Sequence, residues 1–350
     1  MIKALIVDDS ATMREYIQHL LERDGRIKVI GTAQDGAEAV RLVPLLRPDV
    51  ITMDIVMPKL DGIEATRRIM ESNPVPIIIV SSIWDPEEVR NTFKAMAAGA
   101  VAGVRKPAGP GHPESEPEVA KLVQMVTLMS EVRVIRRLPR AIRDQAGADA
   151  ISRVMPRTAS QVFELVAIGA SLGGPPVIQL ILSRLSRDFP APILIAQHIS
   201  PGFVEGFADW LSSSTGLPVH LAAAGERVKP GHAYLAPDDC HMGITSDGRL
   251  MTSKAPPENG LRPAISFLFR SVAQAFGPRA IGVLLTGMGK DGAAELKIMR
   301  DHGAITMVQD KESSAIHGMP GEAIRLNAVT HILTPEEIVN QLISLVNHTN

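Results

Sequence analysis

Five side chains of the kind that handle phosphate stand at regular places in the first third of the chain: Asp8 and Asp9, Asp54, Ser81 and Lys106. Each closes a short apolar run. Clustered carboxylates repel unless a hard cation takes them, and Mg²⁺ held by one or two carboxylates, water and a phosphate is the expected solution. Asp54 is then the carboxylate that attacks phosphorus to form an acyl phosphate. The Ser81 hydroxyl and Lys106 are placed to bind the phosphoryl oxygens. A lone strand-end aspartate is most often a cap or turn residue; five residues at five matching places shift that balance.

A second constellation lies beyond the middle of the chain. Gly169-Ala170-Ser171-Leu172-Gly173-Gly174-Pro175 follows an apolar run and precedes a helical pattern, a G-x-S-x-G segment in the setting where a tight turn exposes a nucleophile. The same strand, glycine-rich turn and helix also serve as a phosphate-binding or purely structural turn, so partners for Ser171 are needed. His198 follows the run 193–196, and Asp291 follows the run 281–285 and the loop Thr286-Gly287-Met288-Gly289-Lys290. Three such residues on one sheet edge form a Ser-His-Asp relay, with His198 as base and acid and Asp291 orienting it. The Met288 N–H is a candidate oxyanion donor. The loop 287–292 reads alternatively as an anion nest, without the full phosphate-loop pattern. His220, His232, His241, His302, His317 and His331 show no HExxH spacing, and no metal site is expected from them.

Positioning these residues takes two α/β layers. Strands are expected at 3–7, 27–32, 50–53, 76–80 and 100–104, with helices at 11–23, 36–46, 61–71 and 86–97, the rhythm of a doubly wound parallel sheet. Pro44 conflicts with the second of these helices. After the turn-rich stretch 107–115, helical spacing over 119–135 predicts a closing helix. Strands return at 165–169, 193–196, 280–286, 304–308 and 328–333, with helices at 176–185, 264–276, 293–302 and 335–346. The stretch 219–253, with turn pairs Pro230-Gly231 and Asp247-Gly248, reads as hairpins. The fold class is therefore α/β: a five-stranded doubly wound domain, then a parallel-sheet domain with a β-rich insertion. The domains expected are 1–120, a closing helix and arginine-rich linker over 121–159, and 160–350. Arg133 to Arg157 contribute seven arginines, read as a solvated linker or a basic docking patch.

Composition narrows the classes further. Lys and Arg total 36 against 38 Asp and Glu, a formal charge of −2 over 350 residues, so no global field recruits nucleic acid or an anionic membrane. No apolar stretch reaches the length of a membrane helix, and the opening run is too short for a signal peptide. Cys240 is the only cysteine, which suits a reducing compartment. A cytoplasmic protein is expected. No helix-turn-helix with a basic recognition helix follows the linker.

The first 106 residues resemble the receiver domain of two-component response regulators, through Val7-Asp8-Asp9-Ser10, Met53-Asp54-Ile55-Val56-Met57-Pro58-Lys59-Leu60-Asp61-Gly62, Val80-Ser81-Ser82 and Lys106-Pro107. The resemblance implies phosphorylation of Asp54 by a histidine kinase, Mg²⁺ at Asp8, Asp9 and Asp54, and a cis Lys106-Pro107 bond. It departs at Gly103, where receivers commonly carry Tyr or Phe. Residues 160–347 resemble the catalytic domain of the chemotaxis protein-glutamate methylesterases, the CheB family. The segments that carry this are Ile168 to Gly174, Gln197-His198-Ile199, Tyr234-Leu235-Ala236-Pro237, Leu285 to Gly292 and Gly318-Met319-Pro320.

That resemblance implies Ser171 as nucleophile, His198 as base and Asp291 as orienting acid. The reaction implied is hydrolysis of glutamate γ-methyl esters, with deamidation of glutamines, on methyl-accepting chemoreceptors. No cofactor is implied at this site. Many relatives carry Thr or Ser at the position of Leu172 and Asp at that of Ser266; the departures leave a side-chain role at either position open and the triad untouched. The unphosphorylated receiver is expected to obstruct the catalytic face. The rival is a non-enzymatic, phosphorylation-dependent interaction module, which lost triad residues would favour.

Overall fold

Short apolar runs buried on both faces suit a parallel sheet covered by helices, and both halves of the chain are built from them. The computed structural model describes residues 1–81, 86–108, 115–132, 134 and 163–347. The chain divides into two units, Met1–Ala150 and Ile151–Asn350. The arginine-rich stretch, with its linker and docking-patch readings, lies outside the described residues.

In the first unit the elements run β1 (Ile2–Val7), α1 (Ala11–Glu22), β2 (Ile27–Ala33), α2 (Gly36–Leu46), β3 (Val50–Met53), α3 (Gly62–Ser72), β4 (Ile77–Ser81), α4 (Pro86–Ala98), β5 (Ala102–Arg105) and α5 (Ser115–Met129). Every residue of β3 and β4 is buried. The five strands are parallel in the order β2-β1-β3-β4-β5. The chain reverses its winding between β1 and β3, which opens a crevice at their carboxyl ends. Helix starts are fixed by side chains: Ser10, Asp35 and Asp61 accept the N–H groups of Met13, Glu38 and Glu64.

Pro44 sits in the last turn of α2, so the missing N–H and ring clash touch one bond before Arg47 ends the helix in the left-handed region at φ 49°. The closing helix begins at Ser115, ahead of the 119 expected, because Pro117 is tolerated in a first turn. It ends at Met129.

The second unit runs β6 (Leu165–Ala170), α6 (Gly174–Arg184), β7 (Ile193–Gln197), α7 (Val204–Thr215), β8 (Val219–Leu221), β9 (Ala233–Leu235), β10 (His241–Ile244), β11 (Leu250–Ser253), α8 (Ile265–Phe276), β12 (Ala280–Leu284), α9 (Ala293–Asp301), β13 (Ile305–Gln309), α10 (Gly318–Arg325), β14 (His331–Leu333) and α11 (Pro335–Asn347). Seven strands form one parallel sheet, β14-β13-β12-β6-β7-β9-β8. β6 lies between β7, which the chain enters next, and β12, where it later crosses to the other side of β6 before adding β13 and β14. Their carboxyl ends therefore form a second crevice.

The hairpins expected over 219–253 reduce to one, β10 with β11 around Asp247-Gly248. β8 and β9 instead extend the parallel sheet at its edge. The physical reason is visible in β9: Ala233, Tyr234 and Leu235 are all buried, as a strand covered on two faces must be. Two helices were not expected. α7 carries Gly206 and a serine run, both weak helix formers, yet buries Val204, Phe207, Ala208 and Leu211 at helical spacing. α10 begins with Gly318, Pro320 and Gly321, all poor interior residues.

Candidate active site and acidic site

At the crevice of the first unit, Asp8 follows β1 and Asp54 follows β3, and both are buried. Asp8, Asp9 and Asp54 each offer an oxygen, all within 4.8 Å of one another. Lys106, after β5, brings its Nζ to 2.6 Å from Asp54 Oδ2 and 2.9 Å from Asp8 Oδ2. Backbone N–H groups serve the remaining oxygens, Ser10 to Asp8 Oδ1 at 2.9 Å and Ile55 to Asp54 Oδ1 at 2.7 Å. Burial pushes the Asp54 carboxyl above its ordinary range despite Lys106. Burial also acts against the Lys106 ammonium, but Asp54 and Asp8 outweigh it and hold Lys106 above its usual value.

The donor set fits a hard cation. Asp8 Oδ2 is buried and aligned with no hydrogen-bond donor, Lys106 being near enough for ion pairing but not in bonding geometry. Oxygens of this kind, on adjacent carboxylates, are what Mg²⁺ takes. Ser81 is buried at the end of β4, its Oγ 3.4 Å from Glu88 Oε2. The Lys106-Pro107 bond is trans, contrary to the cis expectation; the one cis bond among the described residues is Arg262-Pro263. Trans is the lower-energy form of an X-Pro bond, and here Lys106 N–H still reaches Ser81 O at 2.9 Å. At Gly103 a Cβ would lie 2.7 Å from Thr92 Cγ2 and 3.0 Å from Met96 Cε, so α4 fills the space an aromatic ring would take.

The second crevice gathers Ser171, His198 and Asp291. Ser171 stands one residue beyond β6, its N–H donating to Thr286 O at 3.0 Å across to the β12 side. The turn then needs Gly173, which adopts φ 76° and leaves room for Ala315, whose Cβ would be 2.6 Å from an added one. Gly287 is required for a similar reason: a Cβ there would lie 2.6 Å from Ser171 Cβ. His198 follows β7 and ties back through its N–H to Ala170 O at 2.9 Å. Its Nε2 lies 2.8 Å from Asp291 Oδ2. That pairing leaves Nδ1 as the nitrogen free to take a proton.

Asp291 is 2% exposed and well served. Its Oδ2 also accepts Ile265 N–H at 2.7 Å, and its Oδ1 accepts Ser266 Oγ at 2.6 Å and Ser266 N–H at 3.2 Å. Burial pushes this carboxyl up, but the bonds from His198, Ser266 and Ile265 outweigh it and hold it below the ordinary range. Ser266 Oγ further contacts Glu295 Oε2 at 2.6 Å and accepts Gly292 N–H at 3.0 Å. Met288 is exposed on its loop, and among the described residues the Met288 and Leu172 N–H groups donate to no protein acceptor.

Residues 166–342 match the family described as CheB methylesterase, and residues 4–112 that described as response regulator receiver domain. The chain belongs to the CheB methylesterase family. A relative from Geobacter metallireducens, named protein-glutamate methylesterase/protein-glutamine glutaminase 4, is 56% identical over 351 residues, 99% of each chain. One from Syntrophus aciditrophicus, of the same name numbered 1, is 50% identical over 99% of this chain and 98% of its own. The crystal structure of the Thermotoga maritima CheB methylesterase catalytic domain aligns at a TM-score of 0.51 and 37% identity, covering 53% of this chain and 99% of that one.

Within this CheB-family site the sequence expectations placed Ser171 and His198 at neighbouring strand ends and Asp291 beyond the loop after β12, but not the residues that hold them. Ser266, whose side-chain role the sequence left open, binds Asp291 directly. Gln197 and Thr286 also touch the Ser171 turn. A polar side chain at the last position of an otherwise apolar strand was the available signal for Gln197. No spacing rule announces Ser266, 25 residues from Asp291. Among the described residues no helix is long and apolar enough to cross a membrane.

Proposed function

We propose that the second unit hydrolyses γ-methyl esters of glutamate side chains on methyl-accepting chemoreceptors, and amides of glutamine likewise, through Ser171, His198 and Asp291. The observation that carries this is the His198–Asp291 pair at 2.8 Å on the same sheet edge as the Ser171 turn. His198 Nδ1 takes the Ser171 proton as Oγ attacks the ester carbonyl. The N–H groups of Met288 and Leu172 receive the oxyanion, the second being the donor a nucleophile turn ordinarily supplies. As the tetrahedral adduct collapses, the C–O bond to the methoxy group breaks and His198 returns the proton, releasing methanol. Water, deprotonated by His198, then cleaves the acyl-serine, giving the glutamate carboxylate and free Ser171. With glutamine, ammonia leaves in place of methanol. Asp291 stays ionised and stabilises the imidazolium.

In the first unit, Asp54 is the phosphate acceptor from a histidine kinase, with Ser81 and Lys106 contacting phosphoryl oxygens. Mg²⁺ held by Asp8, Asp9 and Asp54 would neutralise charge on the phosphoryl group. Phosphorylation raises esterase activity by relieving a restraint that the receiver imposes. The matched ranges 4–112 and 166–342 support the division into a receiver over 1–120, a helix and linker over 121–159, and a catalytic domain over 160–350; the place of action in this reading is the cytoplasm. The direct test is methanol release from methyl-labelled receptor membranes. Ser171→Ala should lower turnover by at least about a thousandfold while receptor binding persists. Undiminished turnover would place the nucleophile elsewhere.

A further inference from the structure

Gln197 is the last residue of β7, is 5% exposed, and lies in register beside Ala170, the residue before Ser171. Its Nε2 donates to Ser171 O at 2.8 Å and to His198 O at 2.8 Å. We propose that Gln197 is a positioning residue for ester hydrolysis: one carboxamide clamps the main chain of the nucleophile to that of the base. The inference rests on the reading of Ser171 as nucleophile and His198 as base.

The orientation of the carboxamide follows from what it faces. Two carbonyl oxygens on one side can be met only by the NH₂ group, since an oxygen there would face two acceptors. Oε1 is thereby sent the other way, where it is buried and has no hydrogen-bond partner. It lies against Gly174, at which a Cβ would sit 2.3 Å from it. Buried acceptors without partners are rare. Here the side chain forgoes one so that both its hydrogens reach the two residues that must meet.

The consequence reaches the peptide after the nucleophile. Ser171 O accepts from Gln197 and from Gly174 N–H at 2.9 Å, and Leu172 O accepts from Thr286 Oγ1 at 2.9 Å. Both planes of the turn are therefore fixed. Because C=O and N–H point oppositely across a trans peptide, holding Ser171 O toward Gln197 directs the Leu172 N–H away from it. Loosening the clamp tilts that donor and the Ser171 side chain together, without removing any group that touches substrate.

The test uses the full chain and labelled receptor membranes. Gln197→Met keeps the length and removes both hydrogen bonds; kcat should fall about 10- to 100-fold, the scale of a small misplacement, with KM within about twofold. Gln197→Glu supplies a second readout. As a carboxylate it has no proton for either carbonyl, and once protonated it has one, so its kcat relative to wild type should rise as pH is lowered. A merely structural defect of the buried carboxylate would change the folded fraction over the same pH range, so circular dichroism is recorded alongside and must stay constant while the ratio rises. Wild-type kcat in Gln197→Met, an effect confined to KM, or a flat ratio in Gln197→Glu overturns the proposal. If Gln197→Met does not fold, the Gln197→Glu ratio decides. Ser171→Ala measured alongside separates the two readings: an active Ser171→Ala refutes the site itself, whereas an inactive one with a fully active Gln197→Met refutes only the clamp.

Discussion

Replacing Asp291 by asparagine separates two jobs that the carboxylate does, and the surrounding donors indicate which one is lost. Oδ2 is met by His198 Nε2 at 2.8 Å and Ile265 N–H at 2.7 Å, whereas Oδ1 is met by Ser266 Oγ at 2.6 Å and Ser266 N–H at 3.2 Å. The new NH₂ group at the Oδ2 position would oppose the close Ile265 N–H. At the Oδ1 position it opposes only the longer Ser266 N–H and can donate to the Ser266 hydroxyl. The amide oxygen therefore stays toward His198, and the tautomer with Nδ1 free is kept. What disappears is the negative charge that favours the imidazolium in the transition state. An opposite charge at this range is worth about 1–3 pKa units, or roughly 1.4–4 kcal/mol. At 1.36 kcal/mol per tenfold, kcat should fall by about 10- to 1000-fold. The assay is methanol release under saturating receptor, with KM followed in parallel. A kcat within about threefold of wild type would remove Asp291 from the relay. A loss beyond about 10⁴-fold, the scale seen when the wrong tautomer is imposed, would show that the amide turns the other way and that the donor argument is wrong.

Three further outcomes follow from the same geometry. Asp54→Asn should abolish stimulation by a small-molecule phosphodonor with Mg²⁺ and leave basal methanol release unchanged, since Ser171 is untouched; phosphoryl label retained by the variant would place the acceptor elsewhere. Gly103→Tyr must displace Thr92 or Met96 of α4, where even a Cβ meets Thr92 at 2.7 Å, so urea unfolding of the receiver should show a loss of about 1–3 kcal/mol; an unchanged midpoint would mean the space is not filled. A 158–350 fragment should hydrolyse receptor esters faster than the unphosphorylated full chain, by about 5- to 150-fold if the receiver's restraint has the usual size of an allosteric coupling. A folded but slower fragment would make the receiver an activator.

Much of this was readable from residue order because a parallel sheet delivers its chemistry at one edge. Asp8, Asp54 and Lys106, and in the second unit Ser171 and His198, each stand directly after a strand of the parallel sheet, so finding the strands found the residues. Edge elements were less legible. β8 and β9 have three residues each, too few to show whether a run is covered on one face or two, and the turn pair Pro230-Gly231 suggested a hairpin where the chain makes a parallel pairing.

Ser266 shows the deeper reason why the rest of the site was hidden. Read along the chain it is a polar residue in the first turn of an amphipathic helix, as expected of a solvent-facing position as of any other. Its meaning comes from where α8 begins: the packing of Ile265, Leu268 and Phe269 into the core seats that helix start against the loop after β12. There Ser266 faces Asp291 and Glu295 at once. A carboxylate in its place would add a third negative charge to two already buried or half-buried ones, a repulsive arrangement without further donors. A hydroxyl brings one proton and accepts the Gly292 N–H, which is compatible with an ionised Asp291. Ser266 thus supplies one of the hydrogen bonds that, with those from His198 and Ile265 N–H, offset the burial of the acid.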